Sequence, residues 1–195
     1  AGSGGWKNED PEALHAAAAD KYFEGDYDAA ESLYIAALGR DPGHVRSLCN
    51  YGALLHNVRN DRVKASQMYR SALNRDPNDV VTLYNFGLLL ESLEPVDLPG
   101  AEALYRRALS IDPNHVDTLV NYGTLLKTLH HNYTDAEASY RRALQLDPNN
   151  VDALCNYALL LRDCMQRPDE AREMIRRAVE LDSKDEWLLV NAATF

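Results

Sequence analysis

The residues that read first as chemistry are asparagines. Asn50, Asn85, Asn121 and Asn156 stand in the same phase in "DPGHVRSLCNYGALL", "DPNDVVTLYNFGLLL", "DPNHVDTLVNYGTLL" and "DPNNVDALCNYALLL", and Asn191 extends the series. A primary amide carries two donors and an acceptor, enough to pair with both the N–H and the C=O of one peptide unit. Amides repeated at a fixed interval are therefore suited to gripping polypeptide backbone.

Residue types suited to bond-breaking form no comparable pattern. The histidines are His15, His44, His56, His115, His130 and His131, and they read as solvent-exposed turn residues. No H-x-x-x-H pair, glycine-rich phosphate loop or G-x-S-x-G elbow occurs. Cys49, Cys155 and Cys164 are odd in number and lack a CxxC pair, which predicts reduced thiols in a reducing compartment. The paired arginines of "YRRAL" (105–109 and 140–144) and "IRRAV" (175–179) predict a solvated helix face with neighbouring carboxylates. "NYT" at 132–134 fits a glycosylation sequon but reads as a polar turn. No catalytic residue, cofactor or metal ligand is expected.

Composition agrees with a binding role. The 195 residues are 46% hydrophobic and 26% charged, as in a folded soluble domain. A net charge of −10 opposes general binding to nucleic acid. No apolar run is long enough for a membrane span and no signal peptide opens the chain, which predicts a cytoplasmic or nuclear setting. "AGSGGWKN", within residues 1–10, reads as a flexible leader or an expression remnant.

The asparagines need elements to hold them in phase. Pro42, Pro77, Pro113 and Pro148 follow aspartates and are separated by 35, 36 and 35 residues, and Ser183 falls 35 later. Such a period marks a stacked solenoid. Each unit holds two helical stripes. The first joins Leu48, Tyr51 and Leu55; Leu83, Phe86 and Leu90; Leu119, Tyr122 and Leu126; Leu154, Tyr157 and Leu161. The second runs Ala65, Tyr69, Ala72 in one unit and Ala136, Tyr140, Ala143 in another, with alanines that let helix axes approach closely. Asp10–Pro11 is an N-cap and first-turn pair, and Asp28 with Glu31 and Thr134 with Glu137 have capping-box spacing for second helices.

At about 100° per residue, Asn121 lies roughly 200° round the helix from Leu119 and so opposite the packing stripe. Its face is shared by Asp117, Thr124 and Thr128. The corresponding rows are Arg46, Asn50, Ala53, Asn57; Val81, Asn85, Leu88, Ser92; and Asp152, Asn156, Leu159, Asp163, with Trp187 and Asn191 opening another. Cys49, Tyr84, Val120, Cys155 and Val190 flank the asparagines and are expected to add apolar contact.

"NYGTLLKTLHHNYTDAEASYRRALQLDPNN" resembles the tetratricopeptide repeat, and the likeness covers residues 11–185. It implies an all-α, right-handed superhelical solenoid of antiparallel helix pairs. The units are 11–44, 45–79, 80–115, 116–150 and 151–185, with a further or capping helix beginning at 186–195. The first unit is atypical, with alanines at the usual aromatic and glycine positions, as a solvent-facing cap would be. In the family the first helices line a concave groove, so the resemblance places Asn50, Asn85, Asn121, Asn156 and Asn191, with Tyr84, Leu88, Thr124, Asp117 and Asp152, along its floor.

The cationic clamp by which some members grip acidic chaperone tails is not matched, since Asp117 and Asp152 stand where cations would be required. The asparagine ladder is similar to the repeat region of the O-linked N-acetylglucosamine transferase, whose groove holds extended substrate, and to the peroxisomal import receptor. The reading is a noncatalytic scaffold that binds a protein or peptide segment, with no nucleic acid or membrane partner. Two alternatives are the substrate-selecting region of a larger enzyme and an array that self-associates through its ends. A last element stopping soon after Trp187 would suit a fragment of a longer array or a closing helix.

Overall fold

The computed structural model describes residues 10–182 and Leu188. Among these residues there are ten α-helices and no strand. They are α1 (Pro11–Phe23), α2 (Tyr27–Arg40), α3 (Val45–Asn57), α4 (Arg62–Arg75), α5 (Val80–Glu91), α6 (Leu98–Ile111), α7 (Val116–Leu129), α8 (Tyr133–Leu146), α9 (Val151–Asp163) and α10 (Pro168–Leu181). The chain forms two compact units, Ala1–Leu104 and Tyr105–Phe195. In the first, α1 packs on α2, α3 on α4, and α2 and α4 lead on to α3 and α5. In the second, α7 packs on α8, α9 on α10, and α8 on α9.

Local chemistry ends each pair. After α2, α4, α6 and α8 an aspartate leaves the helix and its side chain accepts from the backbone N–H two residues on: Asp41 from Gly43, Asp76 from Asn78, Asp112 from Asn114, Asp147 from Asn149, at 2.8–3.1 Å. The proline between them cannot prolong the helix. The next helix is then capped: Asp79 accepts from Thr82 N at 2.8 Å and Asn150 from Ala153 N at 2.9 Å.

Second helices are capped two residues earlier than the capping-box spacing predicts. Asp26, not Asp28, accepts from Ala29 N, and Asn132, not Thr134, from Asp135 N. The reason lies in the turn. Gly25, Asn60, His131 and Gln166 all have positive φ (81°, 54°, 50° and 55°), and each immediately precedes the cap of a second helix. This left-handed residue reverses the chain and leaves the one after it at the helix entrance. The Asp10 cap and Pro11 stand as the sequence predicts, with Ala13 N donating to Asp10 at 2.8 Å.

Each core is a row of alanines about one large ring. Ala30, Ala37, Ala65 and Ala72 are fully buried beside Tyr34 and Tyr69 in the first unit. Ala136, Ala143, Ala171 and Ala178 are so beside Tyr140 and Ile175 in the second. The rings reach across to glycines on the first helices. A Cβ at Gly52 would meet Tyr69 Cε1 at 2.7 Å, and one at Gly123 would meet Tyr140 Cε1 at 3.0 Å. Where isoleucine replaces tyrosine, at Ile175, the facing position is Ala158, also fully buried.

Two matching clamps lock successive pairs. Tyr51 Oη donates to Glu31 at 3.0 Å and Arg59 Nε donates to the same carboxylate at 2.9 Å. In the second unit Tyr157 Oη donates to Glu137 at 2.7 Å, and Arg167 Nη1 donates to it at 2.7 Å. Burial would raise the Glu137 pKa, but the Tyr157 and Arg167 hydrogen bonds and the Arg141 charge hold it below the usual carboxylate value. Glu31 and Glu137, which the sequence suggests as capping-box acids, work here instead.

Candidate functional site

The asparagines sit on the faces of first helices as their phase demands. Asn50 on α3, Asn85 on α5, Asn121 on α7 and Asn156 on α9 are all half-buried. Asn191, with Trp187 and Val190, lies outside the described residues. Asn50 and Asn85 also bind within the protein. Asn50 hydrogen-bonds the Tyr34 hydroxyl, whose pKa burial pushes up to about 12. Asn85 Nδ2 donates to Cys49 Sγ at 3.5 Å, tying α5 to α3.

Around the amides the predicted contact surface divides. Tyr84 and Leu88 are half-buried beside Asn85. Asp117 and Asp152 are exposed in the first turns of α7 and α9, where the helix dipole favours a carboxylate. Thr124 is half-buried and its hydroxyl is engaged, 3.2 Å from Val120 O and 2.9 Å from Tyr140 Oη. The expected apolar flank is largely absent. Cys49, Val120 and Cys155 are buried in the cores, because the position one residue before each asparagine turns toward the neighbouring helix pair. All three cysteines are thiols rather than disulfides.

The histidines also depart from the sequence expectation. Only His130 and His131 are exposed. His15 is 2% exposed, packed against the rings of Tyr34 and His44 at 5.9 and 5.6 Å. Burial lowers its pKa, and the nearby Arg46 charge adds to the effect. His44 and His115 are N-caps, with Nδ1 2.7 Å from Ser47 Oγ and 2.8 Å from Thr118 Oγ1.

Glu12, His44 and Ser47 superficially align as a hydrolase triad would, with Glu12 Oε2 3.1 Å from His44 Nε2. Ser47 is fully buried, however, and the His115–Thr118 pair repeats the same side-chain contact at the start of α7. The arrangement closes a helix end and offers no exposed nucleophile. Among the described residues no group of three or more His, Cys, Asp or Glu could hold a metal ion. Nor is any described helix long and apolar enough to cross a membrane.

One cleft adjoins the asparagine face in the first unit. It has a volume of about 140 Å³ and is lined by Ala19, Tyr22, Phe23, Tyr34, Asn50 and Ala53. Phe23 is 85% exposed. The sequence carries a signal for it: Phe23 ends the row Glu12, Ala16, Ala19, where the other units place Asn57, Ser92, Thr128 and Asp163. A second cleft of about 290 Å³ opens beside α4, lined by Arg62, Val63, Ser66, Gln67, Arg70 and Leu93. There Ser66 and Phe86 replace the glutamate and tyrosine of the clamps.

Comparison with known proteins agrees with this architecture. Three family models, each described as Tetratricopeptide repeat, match residues 15–80, 104–138 and 127–193. No curated protein sequence matches the chain. Among solved structures it is similar to TTC0263, a thermophilic TPR protein of Thermus thermophilus, with TM-score 0.76, 22% identity and coverage of 94% of this chain and 97% of that one. It is also similar to PilF of Pseudomonas aeruginosa, with TM-score 0.80, 18% identity and coverage of 92% and 80%. YrrB gives TM-score 0.66, 20% identity and coverage of 97% and 94%. At these identities the likeness is one of fold.

Proposed function

Since the chain belongs to the tetratricopeptide-repeat proteins and has their all-α, helix-pair solenoid fold, we propose that it is a scaffold that holds an extended protein segment against the first helices of a unit. The observation that carries this is the set of four in-phase amides, all half-buried and so reachable from solvent. Helices in contact lie about 8–10 Å apart and an extended chain advances about 3.3–3.6 Å per residue. Within a unit, a bound segment would meet the two amides about three residues apart.

Contacts of this kind grip backbone and leave side chains unread. Selectivity then falls to the residues beside the amides, Tyr84 and Leu88 in one unit and Asp117 and Asp152 in the other. The internal bonds of Asn50 and Asn85 fit the same role, since they hold each amide in a fixed orientation before a ligand arrives. YrrB, a fold relative, is described as having an unusual peptide-binding site. The setting of such a scaffold would be cytoplasmic.

The test uses peptides selected against this chain from a random display library. Replacing Asn85, Asn121 and Asn156 together by alanine should weaken a selected peptide at least tenfold while the melting temperature stays within a few degrees. Unchanged affinity with a sharply lowered melting temperature would make the asparagines purely structural and would refute the proposal.

A further inference from the structure

The cleft bounded by Tyr22, Phe23, Tyr34 and Asn50 differs from the rest of the first-helix face. Elsewhere in this row the residue at the Phe23 position is polar: Asn57 and Ser92 in the first unit, Thr128 and Asp163 in the second. Here it is a phenyl ring left 85% in water at the mouth of a cavity. The ring of Tyr22 meets it edge-on at 6.0 Å, and Tyr27 meets Tyr22 in turn at 5.4 Å. At about 140 Å³ the space admits one side chain and falls below the roughly 300–1,000 Å³ of small-molecule sites.

Three features decide what kind of side chain. First, the walls are π-faces, which attract cations as well as apolar groups. Second, the lining is not wholly apolar. Asn50 contributes its amide, whose carbonyl oxygen is of a kind to accept from an incoming donor. Third, the surrounding charge is negative. From Asp10 to Asp28 the chain has six carboxylates (Asp10, Glu12, Asp20, Glu24, Asp26, Asp28), of which Glu12 and Asp28 are paired with Arg46 and Arg59, and one fixed cation, Lys21. That lysine is paired with Glu24 at 2.5 Å. Asp20, beside Ala19 on α1, is exposed.

We infer that this cleft takes a basic side chain, arginine above all, from the extended segment held on the first-helix face. The guanidinium stacks on Phe23 with its edge toward Tyr22, donates to the Asn50 carbonyl oxygen and lies within the field of Asp20. A planar cation with several N–H donors meets all three features at once, whereas a leucine or norleucine would meet only the first. The net charge of −10 favours the approach of such a segment. This inference rests on the reading of the asparagine face as a peptide-binding surface and adds a chemical preference to it.

The experiment is a nuclear magnetic resonance titration of the 195-residue chain with three capped heptapeptides, Gly-Ser-Gly-X-Gly-Ser-Gly. X is arginine, its neutral isostere citrulline, or norleucine. Expected are shifts at the Phe23 and Tyr22 rings and the Asn50 side-chain amide, with the arginine peptide at least fivefold tighter than the other two. That preference should weaken with added salt and vanish in Phe23→Leu and Asp20→Asn, both exposed positions whose variants keep their helical circular dichroism. Equal or tighter binding of norleucine would make the cleft an apolar socket and overturn the inference. So would the absence of any shift at the cleft. The side-chain amides of Asn85, Asn121 and Asn156 report on the broader reading in the same spectra. If they move with all three peptides while the cleft does not discriminate, only the inference fails; if they are silent throughout, the scaffold reading fails.

Discussion

The ring of Tyr69 lies so close over Gly52 that a methyl group on the glycine would come within 2.7 Å of Tyr69 Cε1. The pair fixes how closely α3 can approach α4. Gly52→Ala should therefore be destabilising. Overpacking costs about 1–3 kcal/mol, and the better helix propensity of alanine returns about 0.5–1 kcal/mol. The chain contains its own alternative solution in Ala158 facing Ile175. Adding Tyr69→Ile to Gly52→Ala should thus cost less than the sum of the single changes, a coupling that urea denaturation of all four variants would measure. Strict additivity would show that the ring and the glycine do not constrain each other.

The Glu137 clamp gives a second prediction. Glu137→Gln leaves the shape intact but removes the charge that accepts from both Tyr157 and Arg167. Hydrogen bonds to a charged group are worth about 1.5–3 kcal/mol, so a loss of about 1–2 kcal/mol is expected for this mostly buried carboxylate. Tyr157→Phe should then cost less when combined with Glu137→Gln than in the wild type. The lowered pKa of Glu137 adds a sign. Its contribution is complete above the unfolded carboxyl value near 4.5 and is lost as pH falls from there through the lowered native value.

A third prediction concerns milder acid. His15 has a native pKa below the ordinary 6.5 because burial disfavours its charged form. The unfolded chain then binds more protons than the folded one. Its share of stability is therefore complete above about pH 6.5 and declines as pH falls below it. His56 shifts in the same direction for the same cause. His15→Val supplies the residue that Val120 shows at the equivalent place in α7, and it should flatten the fall in melting temperature between pH 7 and 5.5. A slope identical to wild type would exclude His15 as its source.

The turns before second helices supply a fourth. Gln166 has φ of 55°, a conformation that L side chains resist and glycine does not. Gln166→Gly should raise stability by about 0.5–1 kcal/mol, whereas Gly25→Ala, at φ of 81°, should lower it by about 1 kcal/mol. Thermal melts of the two variants would show opposite shifts.

Much of this architecture is legible in the sequence because a few residues act locally. Aspartate and proline end α2, α4, α6 and α8 without help from the rest of the fold, and the period of Leu48, Tyr51 and Leu55 fixes which face packs. The errors arise where two local signals compete or where burial depends on a neighbour. Asp26 and Asp28 are both competent caps, and the left-handed Gly25 decides between them. His15 reads as a polar surface residue until it is aligned with Cys49, Val120 and Cys155, whose buried position it shares. The clamps were hidden because a glutamate near a helix start suggests capping; the shared interval of twenty residues from Glu31 to Tyr51 and Glu137 to Tyr157 is the signal that reveals them. The asparagine face itself follows from phase alone, but the aromatic cleft requires knowing that α2 brings Tyr34 beneath Asn50.

The most direct measurement is an isotope-filtered nuclear Overhauser experiment on the chain bound to a display-selected peptide. It reads which protons of the protein touch the peptide backbone. The account predicts contacts to peptide amide and α protons from the side-chain amides of one unit, Asn50 and Asn85 or Asn121 and Asn156. Contacts confined to the cleft beside α4, at Val63, Gln67 and Leu93, with the asparagine amides untouched, would contradict it.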